Sequence, residues 1–449
     1  MNGATTSGEL RAHNRVRLLR AVHDCGATRT RSQLTRDLHL ARGTASVLVA
    51  GLAEDGLLHE EPAREHVRGR PTQVPGPHPY GPIALAADVR EDAWELAACE
   101  LGGRVTVLGV RPHDGTPEGA LGSLGEAIAT HRRRLGHRVI GAGVALAGPV
   151  RHGGLVDIAH LGWRSVDVPA LLASQTPART TARTTARTTA RTTARTTTAR
   201  TTTSTTTAAG TTAAGSATLV VGNDTAFAAL AEARRGRLQG VKVGLHLHVD
   251  FDLGGVLVVD GRPVAGASGT GAEFGHMPLT GDDRPCPCGA RGCWSMGVGA
   301  NALLRHVGLA YGGGRGREQA EHVLATSQEA VEANARVLGR GIAALVNAHD
   351  PEVVILSGHG PELRERAGQA LMEACEPVLM AIRRDHPPRI EGSALGWRGS
   401  LLGAMESVFD DFLTTEGLEL WRKSHPDQGR DTPDRQSVTH STLAGEKPL

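Results

Sequence analysis

Apolar residues fall into three short helical stretches before any other pattern begins. Val16, Leu19 and Val22 recur at helical spacing between about Asn14 and His23. Thr30-Arg31-Ser32-Gln33 has the form of a capping box, in which each side chain satisfies an orphan backbone donor. It predicts a second helix with Leu34 and Leu38 on its inner face. A turn at His39-Leu40-Ala41 leads to a third helix, with Val47, Leu48 and Leu52 inward and Gly56 just past its end. Leu57-Leu58-His59 and Thr72-Gln73-Val74 then read as two strands of a wing.

Pro75 to Pro79 reads as a hinge and a domain boundary. From Ile83 onward the pattern is α/β. Val139–Leu146 and Val353–Leu356 look like buried strands, and Phe227–Arg235 and Ala330–Ala348 like helices between them. Residues 176–218 interrupt this with Thr-Thr-Ala-Arg repeats that offer almost nothing apolar to offset chain entropy. We expect a disordered Thr/Arg-rich insertion there and a disordered polar tail over 413–449. The expected domains are therefore 10–76 and 80–412.

Charge refines this division. The net charge of the 449 residues is only +2, yet residues 1–79 carry 11 Arg, no Lys and 8 acidic residues. The repeat tract adds 6 Arg and no acid, so the remainder is mildly acidic. No apolar leader opens the chain, and no run of 18 apolar residues exists to span a bilayer. Aromatics make up only 3%, so the core must be mostly aliphatic. A cytoplasmic protein is expected, with three of its six cysteines crowded into Cys286, Cys288 and Cys293.

The order helix, capped helix, turn, helix, hairpin predicts a winged helix-turn-helix. Its third helix would set its first residues against base edges in the major groove of double-stranded DNA. Arg42, Thr44 and Ser46 are the outward side chains there, suited to guanine edges or phosphate. Arg36 would reach phosphate, and Arg68 and Arg70 flank the wing. The plainer alternative is a helical protein-interaction module with solvated arginines.

At this point the chain resembles the ROK family of repressors and sugar kinases. The Gly69-Arg70-Pro71 after the wing resembles its repressor branch. Gly141–Pro149, Gly222–Glu232, Asp260–His276, Cys286–Cys293 and Pro351–Gly360 resemble its other segments. The resemblance implies an N-terminal winged helix-turn-helix followed by an α/β, actin-like (ribonuclease H-like) domain of two lobes. It also implies a homodimer or higher homo-oligomer that binds an operator and a sugar or sugar-derivative effector.

His276, ten residues before a Cys-x-Cys-x4-Cys run, completes a donor set of three thiolates and one imidazole. That set suits tetrahedral structural Zn2+ with no open position. The alternative is reactive or simply buried cysteines. Asn223, Asp224, Glu273 and His276 match the family's sugar contacts, and Asp224 matches its general base. Asp224 would also serve as the N-cap of a helix over 225–235. Ser295 stands where the family carries a sugar-binding Glu.

The phosphate loops depart further. Asp88-Val89-Arg90-Glu91-Asp92 stands where the family has Asp-x-Gly-Gly-Thr, and Val249-Asp250-Phe251-Asp252-Leu253 stands in the second loop. Carboxylates lie where backbone N–H groups would cradle an anion. The expectation is a DNA-binding regulator of carbohydrate-related genes, a repressor with no kinase activity. The alternatives are a sugar kinase with an added DNA-binding domain, or a regulator whose second domain only dimerises.

Overall fold

The computed structural model describes residues 7–63, 72–173, 218–271, 273–309 and 314–424. Three helices come first: α1 (Ser7–Asp24), α2 (Arg31–Asp37) and α3 (Arg42–Glu54). The capping box forms as expected. Thr30 Oγ1 accepts from Gln33 N at 3.2 Å, and Thr30 N donates to Gln33 Oε1 at 2.8 Å. Gly56 adopts φ +67°, the left-handed turn that ends α3. Strands β1 (Leu58–Pro62) and β2 (Gln73–Pro77) then pair antiparallel, with Glu60 opposite Pro75.

Two expectations change here. Pro75-Gly76-Pro77 is strand, not hinge, because a two-stranded sheet tolerates prolines whose missing donors would face outward. The inward face of α3 is Ala45, Leu48, Val49 and Leu52, while Val47 is 54% exposed. Leu48 and Leu52 fix the face, and Val47 lies one residue off it.

The next elements form one lobe. Strands β3 (Ile83–Val89), β4 (Ala93–Glu100) and β5 (Val105–Pro112) run as an antiparallel meander. After α4 (Ser123–Leu135), β6 (Val139–Leu146) returns parallel to β3. A small sheet of β7 (Val150–Arg151), β8 (Leu155–Ile158) and β9 (Trp163–Asp167) follows, then α5 (Val168–Ala173). Strand β10 (Thr218–Asn223) adds parallel to β6, giving the order β10-β6-β3-β4-β5. The expected insertion thus lies outside the described residues, except that its last residue, Thr218, opens β10.

After α6 (Asp224–Arg235) the pattern repeats in a second lobe. Strands β11 (Val243–Val249), β12 (Leu253–Val259) and β13 (Arg262–Pro263) form the meander. The zinc-candidate loop and helices α7 (Ala300–His306), α8 (Arg317–Thr326) and α9 (Gln328–His349) intervene. Strand β14 (Val353–Gly358) then runs parallel to β11. Helix α10 (Gly360–Cys375) and the short α11 (Ala381–Asp385) lead to β15 (Arg389–Gly392), parallel to β14. The order β13-β12-β11-β14-β15 is the first lobe's order again. Both lobes therefore present a β-hairpin turn, Arg90–Asp92 and Asp250–Asp252, at equivalent places.

Helix α12 (Gly399–Phe412) crosses back to the first lobe, and α13 (Thr415–Ser424) ends the described chain. This corrects the expectation of a disordered tail from 413. Leu418 and Trp421 are buried at helical spacing, and Trp421 Nε1 donates to Asp55 O at 2.8 Å. Residues 425–449 lie outside the described residues. One apolar core joins Leu18, Leu19 and Val22 of α1 to Cys99 and Leu101 of the first lobe and to Met405 and Phe409 of α12. The N-terminal helices are thus packed onto the first lobe rather than tethered to it. No helix of the described residues is long and apolar enough to cross a membrane.

Candidate functional site

The cleft between the lobes is assembled around the start of α6. Asn223 ends β10 and caps α6, its Oδ1 accepting from Ala226 N at 2.9 Å. The cap is thus Asn223 and not Asp224, because Asn223 keeps extended backbone while Asp224 is already helical. Asn223 Nδ2 donates to Gly148 O at 3.1 Å, so both ends of this amide are engaged. Asp224 Oδ1 accepts from Thr225 N at 2.6 Å and from Thr225 Oγ1 at 3.2 Å.

Asp224 is not settled electrostatically. Burial, and then the neighbouring Asp88, push it up to about 7. Burial also pushes Asp88 up to about 6, against Arg90 and a hydrogen bond from Ser400. Glu273 rises to about 7 by burial alone, and its carboxyl has no protein partner among the described residues. Three carboxyl groups thus titrate near neutrality, two of them side by side.

The two equivalent turns meet here too. Burial and Asp250 push Glu91 well above the usual carboxylate range, and one of its oxygens is buried without a partner. His160 lies 3.5 Å from Glu91 and 3.4 Å from Asp252. Burial lowers His160, against the pull of Asp252 and Asp250. Arg317, at the start of α8, stands between Asp92 and Asp250, 2.9 Å from each. Sequence reading missed Arg317 and His160. Arg317 lies 225 and 67 positions from its two partners, too far for any local pattern to link them.

Ser295 is almost fully buried, and its hydroxyl bonds Leu253 O at 3.3 Å and lies 3.4 Å from Leu253 N. It braces the start of β12 instead of facing the cleft.

The zinc candidates do converge. His276, Cys286, Cys288 and Cys293 bring their donor atoms within 4.8 Å of one another. Cys288 and Cys293 Sγ are 3.7 Å apart, as are Cys286 Sγ and His276 Nδ1. A tetrahedron with metal–sulfur bonds of about 2.3 Å has S···S edges of about 3.8 Å, so the spacing fits a four-coordinate ion. Burial and its thiol neighbours push Cys293 up to about 12, so three thiolates here require a cation. All six cysteines are free of disulfides. The loop can therefore hold a metal.

Of the proposed nucleic-acid contacts, Arg36, Arg42, Thr44 and Ser46 are all exposed on α2 and α3. Ser46 Oγ bonds Arg42 O at 3.1 Å, inside its own helix. Arg68 and Arg70 lie outside the described residues.

Two lobes with the same strand order, joined by helices that cross between them, define an actin-like α/β protein. In comparison with known families, residues 212–410 match the ROK family model. It is similar to a glucokinase of Streptomyces coelicolor, 29% identical over 161 residues, covering 31% of this chain and 51% of that protein. It is also similar to a putative xylose repressor of Caldicellulosiruptor sp., 26% identical over 213 residues, covering 43% of this chain and 52% of that one. The chain thus spans about half the length of each of these curated relatives. A solved ROK family transcriptional regulator, described as a homologue of the Escherichia coli MLC protein, superposes with a TM-score of 0.62. That match has 18% identity and covers 92% of this chain and 98% of the other, a likeness of fold.

Proposed function

We propose that this protein is a DNA-binding transcriptional repressor of carbohydrate-related genes. Residues 10–76 act as a winged helix-turn-helix on an operator, and residues 80–412 sense a sugar or sugar derivative. The observation that carries this reading is the shared core between the N-terminal helices and the lobe holding Asp224. A ligand that shifts the lobes then shifts the DNA-facing helix with them, provided it binds the two states unequally. Arg42, Thr44 and Ser46 contact bases, Arg36 contacts phosphate, and Arg68 and Arg70 contact the adjacent minor groove. Asn223, Asp224, Glu273 and His276 form the sugar side, and Zn2+ on His276, Cys286, Cys288 and Cys293 braces it. The working form is a homo-oligomer in the cytoplasm.

The two acidic turns argue against phosphoryl transfer, since Asp92 and Asp250 already hold a guanidinium between them. One observation favours the second reading, sugar phosphorylation. Asp224, raised to about 7, is matched to general-base work near neutral pH.

Footprinting on the DNA beside the protein's own gene, with and without candidate sugars, tests the proposal. Protection of a discrete site at modest salt is expected, weakened at least tenfold by Arg42→Ala. Absence of any specific site overturns it. Sugar-dependent ADP release, abolished by Asp224→Asn, would establish the second reading instead.

A further inference from the structure

Helix α8 belongs to the second lobe: Ala320, Val323 and Leu324 bury one face of it, with the last two in that lobe's main core. Its first residue, Arg317, reaches the first lobe as well. Nε lies 2.9 Å from Asp92 Oδ2, and Nη2 lies 3.5 Å from Oδ1. Nη1 lies 2.9 Å from Asp250 Oδ1, and Nη2 lies 3.3 Å from Oδ2. Asp92 sits on the β3–β4 turn of the first lobe and Asp250 on the β11–β12 turn of the second. The guanidinium also lies over the Phe251 ring, 4.8 Å from its centroid, and 5.9 Å from that of Trp397.

We propose that Arg317 is a clasp that holds the two lobes together across the cleft. A planar fork of five N–H donors can engage two carboxylates at once, which a lysine ammonium cannot do with the same geometry. The segment leading into α8 follows the same path. Gly314 packs so tightly on Glu91 that a Cβ there would overlap the Glu91 side chain. Without the guanidinium, Asp92 and Asp250 would face each other across the gap, with Asp252 beside them. Burial alone would raise Asp250, yet Arg317 holds it below its ordinary value, as a standing ion pair requires. His160, between Glu91 and Asp252, adds a second contact over the same gap. The acidic side of the cleft is therefore bridged by the chain itself. This holds whether or not the protein binds DNA or sugar.

Hydrogen exchange on the full chain tests it. In Arg317→Met, exchange over residues 90–93 and 314–320 should quicken at least tenfold, while β14 stays unchanged. Asp92→Asn, made on the opposite lobe, should quicken the same two segments. Arg317→Lys should give an intermediate effect. Unchanged exchange in both Arg317→Met and Asp92→Asn overturns the clasp. So does quickening confined to residues 314–320, which would assign Arg317 to the packing of its own lobe. If Arg317→Met does not fold, Asp92→Asn decides, because it removes only one arm of the clasp.

Discussion

Two regions of this molecule bury carboxylates, and they treat them oppositely. At the junction of the N-terminal helices with the first lobe, Glu406 and His23 are both 0% exposed. Glu406 Oε1 pairs with Arg235 Nε, and Oε2 faces His23 Nε2 at 3.2 Å. The ring is fixed from behind, where Gly102 N donates to His23 Nδ1 at 3.0 Å. Burial alone would raise Glu406, but His23 and Arg235 hold it down at about 2. In the cleft, Asp224 and Glu273 have no such partners and rise to about 7, and Asp88 rises to about 6 although Arg90 opposes it. The junction is a matched set that fixes one arrangement. The cleft is left unmatched, which costs stability and suits a site awaiting a ligand.

The largest expected effect breaks the matched set. Glu406→Gln leaves Arg235 and His23 packed around a neutral amide and should destabilise by about 3–5 kcal/mol, read from denaturant unfolding. Its pH dependence has a definite sign. The folded form holds Glu406 at about 2, below the ordinary 4.5, so the contribution is whole above about pH 4.5. It is lost as the pH falls toward 2. Asp224→Asn should act the other way. Its folded value of about 7 lies above the ordinary 3.8, so the penalty on the charged form sets in above about pH 4 and is complete above about pH 7. The variant should gain about 1–4 kcal/mol at pH 8 and nothing near pH 4, checked by melting at both. The smallest effect belongs to a control: Arg29 and Asp37 pair on the open surface of the N-terminal helices. Asp37→Asn should change stability by less than about 0.5 kcal/mol.

Features that lie close together in sequence were legible. The capping box at Thr30 and Gln33, the strand at 353, the helix from 330 and the His/Cys3 loop each draw on residues close by in the sequence. The N-cap was misplaced by one position, since Asn and Asp both favour caps and only the backbone angles at 223 and 224 decide between them. Pro75 and Pro77 looked like a hinge because proline content says nothing about a partner strand. Helix α13 was hidden by its polar composition, and only Leu418 and Trp421 mark its buried face. Arg317 and the Glu406 set were unreadable, for they join residues 67 to 383 positions apart.

Helix α13 lies back against α1, and Gly8, Arg11, Leu418 and Arg422 line one shared depression of about 350 Å³. The first and last described helices are therefore neighbours in space. A circular permutant that joins them by a short linker and opens the chain within residues 176–217 should keep every described strand pairing. In that form the three N-terminal helices would become an internal insert of the two-lobed domain.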